Sequence, residues 1–381
     1  MITIGYAKRA LETGSREQER MKKYAAVFDE YHMIIFTRKT EGYSDRQVID
    51  NLYLYATNSK TKMGMVLRAW RIGRKILKEN QNKRYVVSGQ DPFVAGLVAG
   101  AVALGNRARY HLQIHGDIFN PLSYQTSLFT RLKKILAIFL IKRTKCIRVV
   151  SERIKRSLLE YKVSEKNIKV LPIQADIDDF LQVGKERFVN TVDTTPNPTL
   201  SFLYVGRLAE EKNLPLLLKA FARVTHNNQT SHPATLTLLG DGPKKDELLN
   251  LIKSLDLTNQ VKILPWSNSV PEVMVKHNVL CLASDHEGCG MVLLEAAAAG
   301  MAIISTDVGC VGEYVINNHN SLVVPTGDEV GFAAAIAKYI NNPKLISEHA
   351  ENGYKLAKRL KLNEDEYLNK MVEVYSFCLD R

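Results

Sequence analysis

Short apolar runs, each closing near a glycine or a polar turn and each separated from the next by a longer stretch of helical spacing, recur through both halves of this chain. In the first half Ile2 to Tyr6, Met33 to Phe36, Tyr85 to Ser88, Tyr110 to His115, Ile147 to Ser151 and Ile168 to Leu171 read as strands. In the second half the strands are Leu200 to Val205, Leu236 to Leu239, Val261 to Leu264, Val279 to Ala283, Ala302 to Ser305 and Leu322 to Val324. Strands this apolar are buried on both faces, and parallel neighbours need a crossover of roughly a dozen residues, which the helical stretches supply. The pattern predicts an α/β protein with two doubly wound units, and 381 residues suit two domains. A break at Pro172 to Asp178 divides them into 1–175 and 176–362, and the polar stretch Asn190 to Pro198 precedes the first strand of the second. Asn363 to Leu379 reads as a helix within a closing segment, 363–381.

Charge separates the halves. Residues 1–175 hold 33 Lys and Arg against 14 Asp and Glu, a balance of +19; residues 176–381 hold 19 against 26, a balance of −7; the whole is +12. So lopsided a distribution predicts that the first half meets something anionic: a membrane surface, a phosphate-linked molecule or nucleic acid. The five cysteines, at 146, 281, 289, 310 and 378, show no metal-ligand spacing and read as reduced thiols, hence a cytoplasmic setting. Met1 to Arg9 lacks the apolar run of a signal peptide, and Phe93 to Gly105 is too short and glycine-rich to span a bilayer. The expectation is a soluble or peripheral protein.

The densest chemistry lies at Glu287-Gly288-Cys289-Gly290-Met291-Val292-Leu293-Leu294-Glu295, between an apolar strand and a run of helix formers closed by Gly300. Glu287 falls in the turn and Glu295 inside the helix. The N–H groups of Gly290, Met291 and Val292 would point out of the helix start, where the dipole favours a phosphate or a polarised hydroxyl. Two glutamates eight apart are common on solvated helices, so context decides. Upstream, Phe202 to Val205 leads to Gly206-Arg207-Leu208-Ala209-Glu210-Glu211-Lys212-Asn213, where Arg207 and Lys212 could converge on a diphosphate. Leu238-Leu239-Gly240-Asp241-Gly242-Pro243 lies between, and Asp307-Val308-Gly309-Cys310-Val311-Gly312-Glu313 follows.

In this order the four blocks resemble the retaining glycosyltransferases of the GT-B fold, family 4, over most of residues 199–341. The resemblance implies two Rossmann-like domains facing across a cleft, the second binding nucleotide and the first presenting the acceptor, with the last helix returning to the first domain. It implies hexosyl-type transfer from a UDP-sugar or GDP-sugar to a hydroxyl of a glycan or lipid-linked acceptor, in polysaccharide, glycan or glycolipid synthesis. Carried over by residue, Glu287 contacts the transferred sugar, Glu295 holds the ribose, and Arg207 and Lys212 bind the diphosphate, with Gly206, Gly290, Met291 and Val292 lining the donor. No cofactor or metal is expected, because fixed cations and N–H dipoles stabilise the leaving diphosphate. Asp176-Ile177-Asp178 imitates a metal-binding Asp-x-Asp motif but falls at the domain junction. Cys289, Met301 and Cys310 depart from the aromatic, proline and glycine usual in the family, which bears on donor preference. Trp266 and Asn268 would border the nucleobase.

In the first half, Gly14 in Thr13-Gly14-Ser15 could face the donor as an anion-binding turn, or Ser15 could simply cap the helix that follows. His115, in Gln113-Ile114-His115-Gly116-Asp117, ends a strand. A lone histidine is more often a satisfied structural residue, but the resemblance assigns His115 to the transferred sugar, and Asp117 is a candidate on the acceptor side. From 128 to 145 the chain is basic, with Leu128, Leu132, Ile135, Leu136 and Phe139 on one helical face and no acidic residue between Pro121 and Val150. That fits a helix in an anionic membrane interface, on the inner face of the membrane, or an ordinary core-facing helix. Two other readings compete: a nucleotide-sugar epimerase of the same architecture, and a non-enzymatic nucleic-acid binder suggested by charge alone. No nucleic-acid motif accompanies the basic excess, so nucleic acid is not an expected partner. A nicotinamide fingerprint fails at Leu293, and no phosphate loop of the Gly-x-x-x-x-Gly-Lys type occurs.

Overall fold

The computed structural model describes all residues except 117, 120–127, 191–198, 227–230 and 268; at 128–130 and 189–190 it describes the backbone alone. The chain forms two compact units, one of Met1–Ile173 with Leu362–Arg381 and one of Gln174–Lys361.

Among the described residues the first unit holds eight strands: β1 (Ile2–Gly5), β2 (Tyr31–Ile35), β3 (Arg46–Ile49), β4 (Leu52–Ala56), β5 (Tyr85–Gly89), β6 (Ala108–Ile114), β7 (Ile147–Val149) and β8 (Ile168–Val170). They lie in the order β3-β4-β2-β1-β5-β6-β7-β8, parallel except where β3 runs antiparallel to β4. The β3–β4 hairpin is absent from the sequence reading, although Leu52, Leu54 and Ala56 alternate with Tyr53 and Tyr55 as a half-buried strand should. Helices cover both faces, which is why the central strands are apolar throughout. On one face Met21 and Tyr24 of the helix Arg16–Ala25 meet Tyr367, Met371 and Tyr375 of the helix Glu364–Leu379. On the other, Ala69, Ile76 and Leu77 of Lys62–Glu79 pack with Val98 and Val102 of Val94–Ala103.

The cysteine reading needs correction. Cys146 and Cys378 form a disulfide across 232 residues of sequence, with Cα atoms 5.6 Å apart, and tie the helix Glu364–Leu379 to the start of β7. No local spacing signals such a pair, because only the return of the last helix onto this sheet brings the two together. Cys281, Cys289 and Cys310 are free and buried.

The second unit holds β9 (Leu200–Val205), β10 (Ala234–Leu239), β11 (Val261–Leu264), β12 (Val279–Leu282), β13 (Ala302–Thr306) and β14 (Ser321–Val324) in a fully parallel sheet, β11-β10-β9-β12-β13-β14. Its core is anchored by Phe202 and Phe221, both fully buried and meeting edge to face with centroids 5.9 Å apart; each buried phenylalanine contributes ~2–3 kcal/mol. Strand order reverses between β9 and β12, and a doubly wound sheet leaves a crevice beyond the carboxyl ends of strands at such a reversal.

Candidate functional site

Two loops of the second unit meet at that reversal. After β9 the chain tightens into a 3-10 turn at Glu210–Lys212, ended by Asn213 in the left-handed conformation, φ 45°, from which the helix Leu214–Thr225 starts. After β12, Ala283 to Gly290 lead into the helix Met291–Ala298. The loops are fastened together: Asp285 N–H donates to the Glu211 carbonyl at 3.0 Å, and Asn213 Nδ2 donates to Asp285 Oδ1 at 2.8 Å.

At their meeting point Lys212 Nζ lies 2.6 Å from Glu287 Oε1, which also accepts from Ser284 Oγ at 2.8 Å. The Lys212 and Glu287 side chains are only 19% and 12% exposed, so water screens their attraction weakly. Arg207 is different. It is 67% exposed and rests on Glu211 Oε1 at 2.5 Å. The sequence reading brings Arg207 and Lys212 to one group; the structure sets each on its own carboxylate. An exposed pair is held by ~0–1 kcal/mol, so an arriving anion readily displaces Glu211 from the guanidinium.

Gly290 supplies the helix start. It has φ 68°, a left-handed turn that a side chain would strain, and no side chain caps the helix beyond it. The N–H groups of Gly290, Met291 and Val292 have no acceptor among the described residues. The loop after β13 closes against them: Cys310 N–H donates to the Cys289 carbonyl at 2.9 Å, and a Cβ on Gly309 would stand 2.6 Å from that same oxygen. Further along the helix Glu295 has no partner among the described residues, and burial pushes its carboxyl up to about 7. Near neutral pH it can donate or accept, which suits a diol. Fixed N–H dipoles, a half-buried ammonium, an exposed guanidinium and two carboxyl groups are what binding a polyanion joined to a polyol needs.

Two family models match the chain. Residues 186–356 match the model for glycosyl transferases group 1, and residues 25–178 match glycosyltransferase family 4.

The chain belongs to the group 1, family 4 glycosyltransferases.

Among similar proteins are the lipopolysaccharide core biosynthesis glycosyltransferase LpsE of Rhizobium meliloti, 30% identical over 42% of this chain and 45% of that one, and the N-acetyl-alpha-D-glucosaminyl L-malate synthase of Bacillus anthracis, 24% identical over 64% and 61%. The alignments thus span about half of these relatives' length. An Escherichia coli enzyme described as a UDP-Gal:alpha-D-GlcNAc-diphosphoundecaprenol alpha-1,3-galactosyltransferase is 24% identical over 68% of each chain. Among solved structures, the sucrose-phosphate synthase of Thermosynechococcus elongatus superposes with a TM-score of 0.75 at 17% identity over 98% of each chain. HepE of Anabaena in complex with UDP gives 0.69 at 17% identity, over 98% of this chain and 99% of that one. At such identity the likeness shows the fold, and the fold of this glycosyltransferase is GT-B.

In the first unit of this family 4 chain the candidates lie on two segments, one before the helix Arg16–Ala25 and one after β6. Gly14 precedes the helix Arg16–Ala25, but its N–H donates to Gln18 Oε1 at 3.0 Å while Ser15 Oγ accepts from Gln18 N–H at 3.0 Å. The turn is therefore a helix cap whose Gly14 N–H is already used. His115 follows β6 with its Nε2 3.2 Å from Gln113 Oε1. Burial first, and then the charge of Arg148, push its imidazole down to about 4, so it is neutral in the physiological range. Asp117 and Asn268 lie outside the described residues; Trp266 is exposed. Asp178 contacts Lys361 at the start of the helix Asp178–Asn190, and among the described residues no three metal-ligating side chains cluster.

The helix Leu128–Arg143 sends one face into the core and leaves apolar side chains exposed on another. Ala137, Leu140 and Ile141 are buried, while Leu132, Ile135 and Phe139 are 55%, 63% and 48% exposed. Of the expected apolar face, Leu132, Ile135 and Phe139 are exposed, Leu136 is half-buried and the Leu128 side chain lies outside the described residues; the core takes Ala137, Leu140 and Ile141 instead. No helix among the described residues is long and apolar enough to cross a membrane. Sequence reasoning missed Ser284, Glu211, Asn213 and Asp285, whose roles come from where neighbouring loops fold, and the group around Gln113 and Arg148. The one available signal was that Ser284 and Asp285 directly follow a strand at the reversal.

Proposed function

We propose that this chain is an enzyme that transfers a sugar from a nucleoside-diphosphate sugar to an acceptor hydroxyl, with retention of anomeric configuration. The observation that carries the reading is the half-buried Lys212 and Glu287 pair beside the N–H groups of residues 290–292, which have no acceptor among the described residues, at the strand-order reversal of the second unit. As the glycosidic bond breaks, negative charge grows on the diphosphate. Lys212, Arg207 and the N–H groups of Met291 and Val292 oppose it without reorganising, an effect worth roughly 10²- to 10³-fold per donor. Glu287, already fixed by Ser284, orients hydroxyls of the sugar, and Glu295 receives the ribose. His115 acts on the transferred sugar and Asp117 on the acceptor side. Charge stabilisation by these residues makes a divalent ion unnecessary, so full activity is expected in excess EDTA.

Relatives whose descriptions name diphosphoundecaprenol acceptors, together with the exposed Leu132, Ile135 and Phe139 amid the cations of residues 131–145, support a lipid-linked acceptor met at an anionic membrane surface, with the protein peripheral on its inner, cytoplasmic face. The competing reading is an epimerase, which would invert a stereocentre of the sugar and leave it joined to its nucleoside diphosphate, with no acceptor required. The decisive experiment is a thermal-shift panel of UDP-, GDP- and ADP-sugars on the native chain and on Lys212→Ala, followed by assay of nucleoside diphosphate release with and without a polyprenyl-diphosphate glycan. Stabilisation of the native chain alone, with release that depends on acceptor, is expected. No stabilisation by any of the sugars would overturn the reading.

A further inference from the structure

Beneath His115 lies a buried polar group that settles which of its two ring nitrogens carries the proton. Arg148 Nη1 donates to Gln113 Oε1 at 3.3 Å, and the same oxygen faces His115 Nε2 at 3.2 Å. A guanidinium only donates, so the Gln113 amide cannot be reversed without opposing N–H to N–H. Its nitrogen is accounted for on the other side, donating to Ser88 Oγ at 3.0 Å and to Tyr375 Oη at 3.3 Å. With its oxygen held as acceptor toward the ring, His115 must present Nε2–H, and Nδ1 is left as the bare nitrogen.

Arg148 is itself held in place. It is buried, and it donates through Nε to the Leu171 carbonyl at 3.0 Å and through Nη2 to the Pro172 carbonyl at 2.9 Å and Tyr367 Oη at 3.0 Å. No carboxylate pairs with it among the described residues, so its charge is not neutralised next to the histidine. Among the described residues the other titratable or polar groups facing this cluster are His111 on β6, Ser88 on β5, Tyr24 on the helix Arg16–Ala25, Tyr31 on β2, and Tyr367 and Tyr375 on the helix Glu364–Leu379. None of them supplies an anion that would favour imidazolium.

We propose that Gln113 and Arg148 are positioning residues for His115, fixing it as the neutral Nε2–H tautomer so that Nδ1 accepts a hydrogen bond from a hydroxyl of the transferred sugar. This rests on the assignment of His115 to the sugar. Gln113→Leu removes the acceptor at nearly constant volume, and Gln113→Glu restores it while adding a negative charge.

The test is long-range ¹H–¹⁵N correlation on the full chain labelled with ¹⁵N-histidine, with His115 assigned by its loss in His115→Gln, alongside kcat and pH profiles. The native chain should show a protonated Nε2 and a bare Nδ1 at pH 7. Gln113→Leu should mix the tautomers and lower kcat on the order of tenfold, one hydrogen bond's worth, with KM little changed. Gln113→Glu should recover the tautomer and move the acid limb of the profile to higher pH. A native His115 that is Nδ1–H or doubly protonated at pH 7 overturns the proposal, as does Gln113→Leu with an unaltered tautomer. If the tautomer is as stated but His115→Gln keeps the full rate, it is the assignment of His115 to the sugar that fails. Arg148→Met is a secondary variant, because losing its four bonds endangers the fold.

Discussion

Replacing Glu295 by glutamine should stabilise the ligand-free protein at alkaline pH and weaken it toward donor. The carboxyl has a folded-state pKa of about 7 against an ordinary 4.5, and burial is the sole cause. For an acid raised in this way the unfolded chain gives up its proton first. Stability is therefore intact below pH 4.5, declines as pH rises from 4.5 toward 7, and stays at its reduced level above that. At ~1.4 kcal/mol per pH unit, the penalty approaches ~3 kcal/mol by pH 8 and is under ~1 kcal/mol at pH 5. A glutamine carries no charge at either pH, and whatever its amide loses in hydrogen bonding is the same at both. Taking the difference between pH values isolates the ionisation. Urea or thermal unfolding of native and Glu295→Gln apo-protein at pH 5 and pH 8 should show the variant gaining ~2–3 kcal/mol more at pH 8, or roughly 4–10 °C in the transition of the second unit. The same variant should bind its nucleotide sugar on the order of tenfold more weakly, as a charged acceptor is lost. An equal effect of the substitution at both pH values would refute the reasoning, since Glu295 would then not be ionising against its surroundings.

Lys212→Ala leaves the Glu287 carboxylate beside the helix start without its cation, and kcat should fall roughly 10²- to 10³-fold; a rate within threefold of native would show that Lys212 does not meet the diphosphate. Acid should unfold the first unit early, because burial lowers His111 to about 3 and His115 to about 4, both from 6.5: the unfolded chain takes up the protons first, so stability declines as pH falls from 6.5 toward those values. A urea midpoint unchanged between pH 7 and 4.5 would contradict this. Ile135→Asp combined with Phe139→Asp should abolish co-sedimentation with anionic vesicles at low salt while sparing transfer to a water-soluble acceptor; native protein that fails to sediment removes the membrane reading. Reduction of Cys146–Cys378 should lower the thermal transition of the first unit, with ~5 kcal/mol as the ceiling set by so long a loop. An unshifted transition under reducing conditions would show that packing of the last helix suffices.

What could be read from the sequence was what local pattern determines. The strand at Val279, the glycine-started helix after it and the carboxylates at 287 and 295 announce themselves through composition and spacing, and both sheets follow from runs of apolar residues buried on two faces. The β3–β4 hairpin escaped because its alternation is interleaved with tyrosines that also read as apolar, which blurs a period of two. The pairing of Arg207 with Glu211 instead of with the partner expected for Lys212 depends on a 3-10 turn that reorients side chains one position apart. The disulfide and the Gln113 to Arg148 group were out of reach for a simpler reason: each joins residues 35 or more apart that only the closed sheet and the returning helix bring together.

That returning helix imposes an order on biosynthesis. The second unit is one continuous stretch, Gln174–Lys361, and can condense as soon as it leaves the ribosome. The sheet that precedes it in the chain lacks Tyr367, Met371 and Tyr375 until the helix Glu364–Leu379 is translated. The amino-terminal sheet is thus made before the second unit and completed after it, with the face beneath the helix Glu364–Leu379 uncovered through that interval.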